Sequence, residues 1–329
     1  MSLRRSFAAA FAVASLSLAA SAWASPYALK PGEFYSELSG NLFSTDTYFD
    51  NANEKRVPLG GTLEQRALRF HNELGWKKRA SVYLDVPIVS RTFVPATGGS
   101  ATSTGLGDIG LGVRYGMHMG KTPLALTVGW TAPLGSNRRL FPGVTGGNAL
   151  DGTRYGVAVS PNGQTASFFD AGMQSLSAQL AFGGPLGKRA FYSLGGGYRS
   201  AFLTIGARDS SDRYADHVLG DASLGIWMTS HLLVTGTFHA EWAASQGETW
   251  DRLSAPIVGA NGPELESNAM LAGARFTYRI DDKMDVFAGS VHTPSGRNVL
   301  HADHFYAGIA FKQSALDKLA GAFGTTKSH

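Results

Sequence analysis

Residues 104–117 read TGLGDIGLGVRYGM, in which glycine takes five of fourteen positions while Ile109, Leu111, Val113 and Tyr115 alternate strictly. The row between them is Asp108, Gly110, Gly112 and Arg114. A period of two belongs to an extended strand, whose successive side chains point to opposite faces. One face here is apolar and the other is small or charged. A Gly-rich phosphate loop would need G-x-G-x-x-G ahead of a helix, and no order of Gly107, Gly110 and Gly112 supplies it.

The same alternation recurs along the chain in segments of about ten residues. Phe34, Leu38 and Leu42 line a first strand, Leu68, Phe70, Leu74 and Trp76 a second, and Val82, Leu84, Val86 and Ile88 a third. After the opening stretch come Leu124, Leu126, Val128 and Trp130, then Leu176, Ala178, Leu180 and Phe182, then Tyr192, Leu194 and Tyr198. Val218, Ala222, Leu224 and Ile226 follow, with Leu232, Val234, Phe238 and Trp242 after them. The last three are carried by Met270, Ala274, Phe276 and Tyr278, by Met284, Val286 and Ala288, and by Phe305, Ala307, Ile309 and Phe311. This predicts about twelve strands.

The connections fall into two length classes. Residues 77–79, 118–123, 184–189, 229–231 and 281–283 are short and turn-like, whereas 44–62, 91–103, 135–169, 201–213, 243–265 and 294–301 are long and polar. Short and long connections alternate, as they do in an up-and-down barrel with an even number of strands and both termini on the short-turn side. Aromatic residues sort the same way. Phe34, Trp76, Tyr115, Phe182, Tyr278 and Phe311 fall at the short-turn end, and Trp130, Tyr198 and Trp242 at the long-loop end, as two girdles at the membrane interfaces would. The predicted fold is all-β: a transmembrane antiparallel barrel over residues 25–311, with short periplasmic turns and long extracellular loops.

The N-terminus agrees with export to the bacterial outer membrane. Arg4 and Arg5 precede an apolar run from Phe7 to Ala20 and then Ala22-Trp23-Ala24, so residues 1–24 read as a signal peptide cut after Ala24. That run is short for a membrane anchor and ends in small residues. Past it there is no apolar run of 18 or more residues, which excludes helical spans but not a barrel. The chain is 43% hydrophobic and 16% charged, and 41 of its 329 residues are glycine, well above the ~7% usual in globular proteins. With no cysteine, disulfides, thiolate metal sites and cysteine nucleophiles are excluded. The net charge of +4 falls to about +2 without Arg4 and Arg5 and includes no polybasic block, so nucleic acid is not an expected partner. The partners expected of a barrel are outer-membrane lipid and lipopolysaccharide, the barrel assembly machinery and a small-molecule solute. No cofactor or metal is implied.

The stretch 104–117, the opening PGEFYSELSGNLFSTDTYFD (31–50) and the strand-turn spacing resemble the Gly-rich outer-membrane proteins grouped under the MetA pathway of phenol degradation. The likeness spans roughly residues 31–311, and its sharpest element is the G-D-I/L-x-L-G-x-R-Y core at Gly107 to Tyr115. The resemblance implies a barrel channel for small, often aromatic or otherwise hydrophobic compounds. Residues 312–329 depart from it by running past the expected terminal aromatic, Phe311. This tail has helical spacing, with Ser314 as N-cap and Leu316, Leu319 and Phe323 on one side.

By parity the inward positions include Glu37, Arg69, His71, Glu73, Tyr83, Asp85, Asp108, Arg114, Asp221, His239, Glu241 and Arg275. They form either a wall that satisfies itself by ion pairs and hydrogen bonds, or a path along which Arg69, Arg275 and their neighbours select solutes. A barrel of this size is narrower than a porin of sixteen strands, which favours selective diffusion over a wide sieve. Two alternatives stand beside the channel. An outer-membrane esterase or lipid-A deacylase would draw on His239 and Glu241, but G-x-S-x-G is absent and the nearest run, residues 221–225, lacks the first glycine. A structural or adhesive barrel would use long loops such as 135–169 to constrict the bore or reach a partner. His301, Asp303 and His304 sit at a loop-strand junction and read as a rim cluster rather than a metal site.

Overall fold

The computed structural model describes residues 28–49, 55–96, 99–120, 122–132, 173–204, 216–244, 268–297 and 299–314. The expected signal peptide, loop 135–169 and most of the tail lie outside them. Among the described residues every element is a strand: β1 (Glu33–Phe49), β2 (Arg56–Lys77), β3 (Ala80–Pro95), β4 (Ala101–Leu106), β5 (Ile109–Met119), β6 (Thr122–Ala132), β7 (Met173–Leu186), β8 (Ala190–Thr204), β9 (His217–Trp227), β10 (Leu232–Ala243), β11 (Asn268–Arg279), β12 (Met284–Arg297), β13 (Val299–Leu300) and β14 (Asp303–Ser314). β4 and β5 are two halves of one wall strand, as are β13 and β14, so the fourteen segments make twelve strands in the wall. Each pairs antiparallel with its neighbours. β1 pairs with β2 on one side and with β14 on the other, from Glu33↔Ser314 to Ser44↔Asp303, which closes the barrel.

Burial is inverted relative to a water-soluble protein. Val113 and Leu111 on the outside are 43% and 40% exposed, while Arg114 between the strand's apolar residues is 3% exposed. The outward rows are those predicted: Phe70, Leu84, Val128, Leu180, Leu224, Phe276 and Phe305 are all exposed, and Glu37, Glu73, Asp85, Asp221 and Glu241 are all buried. Apolar side chains outside and charges inside are stable only where the outside medium is hydrocarbon, and a closed barrel is the one sheet that leaves no backbone group unpaired there. The fold is a transmembrane β-barrel.

The opening stretch contains a break that alternation alone does not show. Ile88 pairs with Leu106 and Asp85 with Gly110, so Val86 and Pro87 on β3 face Gly107, Asp108 and Ile109. This is a β-bulge beside a proline that cannot donate to the ladder; the Gly107 N–H instead reaches the Pro87 carbonyl at 2.8 Å. The extra residue switches the parity, so Leu106 and Leu111 are both exposed and Gly107 and Asp108 are both buried. The role of the following glycines is steric. A Cβ on Gly112 would overlap the ring of Tyr83, its pairing partner on β3, so glycine lets that aromatic side chain lie flat against the lumen wall.

The predicted long connections are shorter in four places. β1 runs on to Phe49 and β2 starts at Arg56, so most of 44–62 is a paired hairpin. Within 91–103, β3 reaches Pro95 and β4 begins at Ala101; within 294–301, β12 continues to Arg297 and β13 pairs with β1; and β8 runs into 201–213 as far as Thr204. β14 likewise continues through Lys312 to Ser314, the residue read as a helix cap, and residues 315–329 lie outside the description. The reason is chemical. These extensions rise beyond the apolar rows, where a strand needs no lipid-facing residues, and hydroxyl pairs take their place: Thr92 and Thr102 at 2.9 Å, and Thr104 to Ser90 at 2.8 Å. A polar strand of this kind reads as a loop when hydrophobic period is the signal.

Replacing Val128 with arginine, in the middle of the outward row of β6, is expected to destabilise the barrel by about 2–4 kcal/mol, measured by reversible urea unfolding in lipid vesicles. A cost near zero would place that face against water.

Candidate functional site

Among the described residues the inward face carries two large ion-pair clusters at different heights, besides a smaller group at the short-turn end where Asp285 meets Lys312 and Arg279. The first is built from β1, β2, β3, β5 and β11 in the short-turn half. Arg69 on β2 makes a two-pronged contact with Asp85 on β3, its Nε donating to Oδ1 at 2.6 Å and its second nitrogen to Oδ2. His71 Nδ1 stands 3.6 Å from the same carboxylate, and its ring lies 5.9 Å from that of Tyr83. Arg114 on β5 reaches past β3 to donate to Glu73 on β2 at 2.7 Å, and Ser81 donates to the other oxygen of Glu73. The longest reach is that of Arg275. It leaves β11, crosses β12 with its guanidinium 3.6 Å from the centroid of the Phe287 ring, and donates to Glu37 on β1 at 3.2 Å. Tyr35 also donates to Glu37, at 2.7 Å.

Around Arg275 the lumen is apolar. Leu271, Phe287, Val291, Tyr306 and Ala310 form one buried cluster with Tyr35 packed against it. An arginine laid over aromatic faces and tied to a carboxylate gives a surface that can meet both the π face and the anionic group of a small aromatic solute.

The second cluster sits near the long-loop ends of β8, β9 and β10. Arg199 donates to Glu241. His217 Nδ1 lies 3.6 Å from the same carboxylate, and His239 places Nδ1 2.7 Å from Asp221 and Nε2 3.9 Å from Glu241. The His239 and Glu241 pair, considered as an acid-base couple, is thus part of a five-residue network. Its carboxylate is already engaged by an arginine, so it is held in an ion pair rather than left free to take a proton from a nucleophile.

Below both clusters the chain before β1 narrows the short-turn mouth. The Gly32 N–H donates to the Gly75 carbonyl at 2.9 Å. A Cβ on Gly75 would overlap the Lys30 carbonyl, and one on Gly116 would lie 3.2 Å from Ala28 Cβ. Residues 28–30 therefore lie against the inner wall, in space that two glycines leave.

All twelve residues assigned inward by parity do face the lumen: Glu37, Arg69, His71, Glu73, Tyr83, Asp85, Asp108 and Arg114 on one side, Asp221, His239 and Glu241 on the other, with Arg275 spanning toward β1. Of the predicted girdle, Trp76, Tyr115, Phe182, Tyr278 and Phe311 are exposed on the outer wall near the short turns, and Trp130, Tyr198 and Trp242 near the long loops. Tyr198 also donates to Asp216 at 2.8 Å. Sequence reasoning missed Arg199 and His217 because both lie one residue beyond the last apolar marker of their strand. Extending the parity by one step from Tyr198 and from Val218 would have found them. It also passed over Tyr35, Phe287 and Tyr306, aromatic residues at inward parity.

The rim histidines separate. His304 turns inward, its ring 4.7 Å from Phe43, while His301 packs edge-on to His292 at 5.4 Å and His292 binds Asp303 at 2.6 Å. Partial burial, with Arg56 and His292 nearby, holds the His301 imidazole below its usual pKa and favours the neutral ring.

No protein-family model matches the chain, and no curated protein sequence does. Among solved structures, the COG4313 outer membrane channel from Pseudomonas putida F1 aligns with a TM-score of 0.65 at 12% identity, over 87% of this chain and 97% of that one. The translocator domain of autotransporter NalP from Neisseria meningitidis aligns at 0.46 and 9% identity, over 89% and 92%. The NanC porin aligns at 0.44 and 8%, over 85% and 100%. At these identities the likeness is one of fold, and the first alignment agrees with a closed barrel of the outer-membrane type.

Replacing Arg275 with glutamine is expected to cost about 3 kcal/mol, because the buried Glu37 loses its ion-pair partner and keeps the hydrogen bond from Tyr35. The double variant E37Q/R275Q should regain most of that loss. Urea unfolding of the wild type and the three variants checks both statements; strict additivity would show that the pair is uncoupled.

Proposed function

We propose that the protein is an outer-membrane channel through which small solutes of hydrophobic or aromatic character diffuse. The observation that carries this reading is the inner wall around Arg275, where a guanidinium lies on Phe287 and ends on Glu37 beside Tyr35 and Tyr306. A barrel serving only as a scaffold has no need of an aromatic and arginine surface facing its bore. The fold supports the same reading, since the first structure compared is an outer membrane channel, as does the resemblance of Gly107 to Tyr115 to the phenol-degradation barrels. In this reading the short turns face the periplasm, the long loops face the exterior, and the bore is selective because charged side chains that reach over intervening strands line and narrow it.

Each arginine would act as a replaceable contact. A solute carboxylate or phenolic oxygen competes for the guanidinium while its ring takes the face of Phe287 or Tyr306, so passage proceeds by exchange of weak contacts rather than by chemistry. An enzymatic reading has less support, because Glu241 is held by Arg199 and His239 by Asp221.

Single-channel recording on folded protein in a planar bilayer tests the proposal. Discrete current steps that benzoate and neutral aromatic solutes reduce are expected, with Arg275→Gln weakening the effect of benzoate more than that of the neutral solute. Current insensitive to both classes would overturn the aromatic assignment, and no current together with no solute uptake into liposomes would overturn the channel.

A further inference from the structure

The outer wall bears a groove that the lumen does not use. It runs across the hydrogen-bond ladder of β2, β3, β5 and β6 and has a volume of about 520 Å³. One bank follows the cross-strand pairs Leu74↔Val82, Val82↔Val113 and Val113↔Val128. The other follows Leu84↔Leu111 and Leu111↔Trp130. Between the banks the floor is backbone, because Tyr83, Gly112 and Gly129 pair along the line and direct their side of the strand into the lumen. The groove is thus apolar, open to the bilayer and separated from the bore by the wall itself. Strands of such barrels are tilted by about 35–45°, so a row across the ladder climbs from the short-turn interface toward the bilayer middle, the course of an acyl chain.

The lower end of the groove meets a concentration of positive charge. Leu74 and Val82 belong to the hairpin whose turn is Lys77-Lys78-Arg79, and all three cations are exposed. Lys77 Nζ lies 4.7 Å from the Trp76 ring centroid, and Trp76 and Tyr115 are exposed on the outer wall at this end, at the depth where amphipathic rings meet headgroups. Among the described residues no carboxylate pairs with the three cations. The nearby Glu33 faces Lys30 instead, at 3.9 Å.

We propose that this groove and turn form a binding site for one anionic glycerophospholipid of the leaflet at the short-turn side, its phosphate on Lys77, Lys78 and Arg79 and one acyl chain between the two banks. The site rests on the membrane orientation in the channel reading but not on conduction. Charge complementarity chooses the occupant: a zwitterionic lipid fits the groove equally well but gains less from three unpaired cations. On the protein the lipid would brace the β2–β3 hairpin, the same hairpin that supplies Arg69, Glu73 and Asp85 to the lumen.

The test is native mass spectrometry of delipidated, refolded full-length protein offered equal amounts of phosphatidylglycerol and phosphatidylethanolamine, with lipid A as a third probe. Folding is checked by heat-modifiable gel mobility. The wild type is expected to retain phosphatidylglycerol over phosphatidylethanolamine by about tenfold. The variant K77Q/K78Q/R79Q should fall to near parity, Val113→Trp should lower retention of both phospholipids by filling the groove, and K188Q/R189Q, with its charges removed from another short turn, should keep the wild-type ratio. Equal retention by the wild type, an unchanged ratio in the triple variant, an equal fall in K188Q/R189Q or a preference for lipid A would each overturn the site. None of these readouts depends on current, so the site and the channel reading can fail separately.

Discussion

Hydrocarbon offers no hydrogen-bond partner, and the rest of this structure depends on that constraint. An open sheet in lipid would leave two edges of N–H and C=O groups unpaired at several kcal/mol each. The pairing of β1 with β14 from Glu33↔Ser314 to Ser44↔Asp303 removes those edges. The seam is tight: a Cβ on Gly308 would overlap the Leu38 carbonyl across it, so glycine there lets the two strands meet. Once the sheet closes, alternate side chains must face lipid or lumen, and the inverted distribution of apolar and charged residues follows.

Closure also creates the problem that the lumen solves. A narrow barrel confines charges close together, and each must find a partner or remain desolvated. The arginines do so by reaching over intervening strands, Arg114 from β5 to β2, Arg199 from β8 to β10 and Arg275 from β11 to β1. These long side chains work as cross-braces. They fill space that the small inward residues leave, and they narrow the bore at two heights, with residues 28–30 adding a third narrowing at the short-turn mouth. A wall satisfied by its own ion pairs and a path for solutes, opposed as readings of the sequence, are compatible in this geometry, because a pair laid along the inner wall is also what a passing solute would meet.

The outer wall has its own differentiation. A uniform lipid face would need only apolar bulk, yet this one has a groove ending at three cations of one turn, Lys77, Lys78 and Arg79, whereas the turn at Asp281, Asp282 and Lys283 mixes signs. The lumen and the exterior are coupled through the strands they share, since the β3 backbone that floors the groove at Tyr83 carries that ring into the lumen.

Much of this was legible in the residues because a barrel imposes one rule on every strand. Strand number, the outward rows, the aromatic bands and the twelve inward positions all follow from period-two alternation and the sorting of loop lengths. The signal stopped where the physics behind it stopped. Beyond the lipid level Ser and Thr pair in extended hairpins without apolar alternation, so those segments read as loops, and Arg199 and His217 fell outside the rows because each lies one residue beyond the last apolar marker of its strand. Only the tertiary structure decided which charges meet, because partners such as Arg275 and Glu37 are brought together by curvature and closure rather than by spacing along a strand. It also located the parity switch at Gly107–Asp108, which depends on how Pro87 on the facing strand interrupts the ladder. Alternation is a property of one strand and is written in one strand's residues; partnership between strands two or three apart depends on the curvature and closure of all twelve.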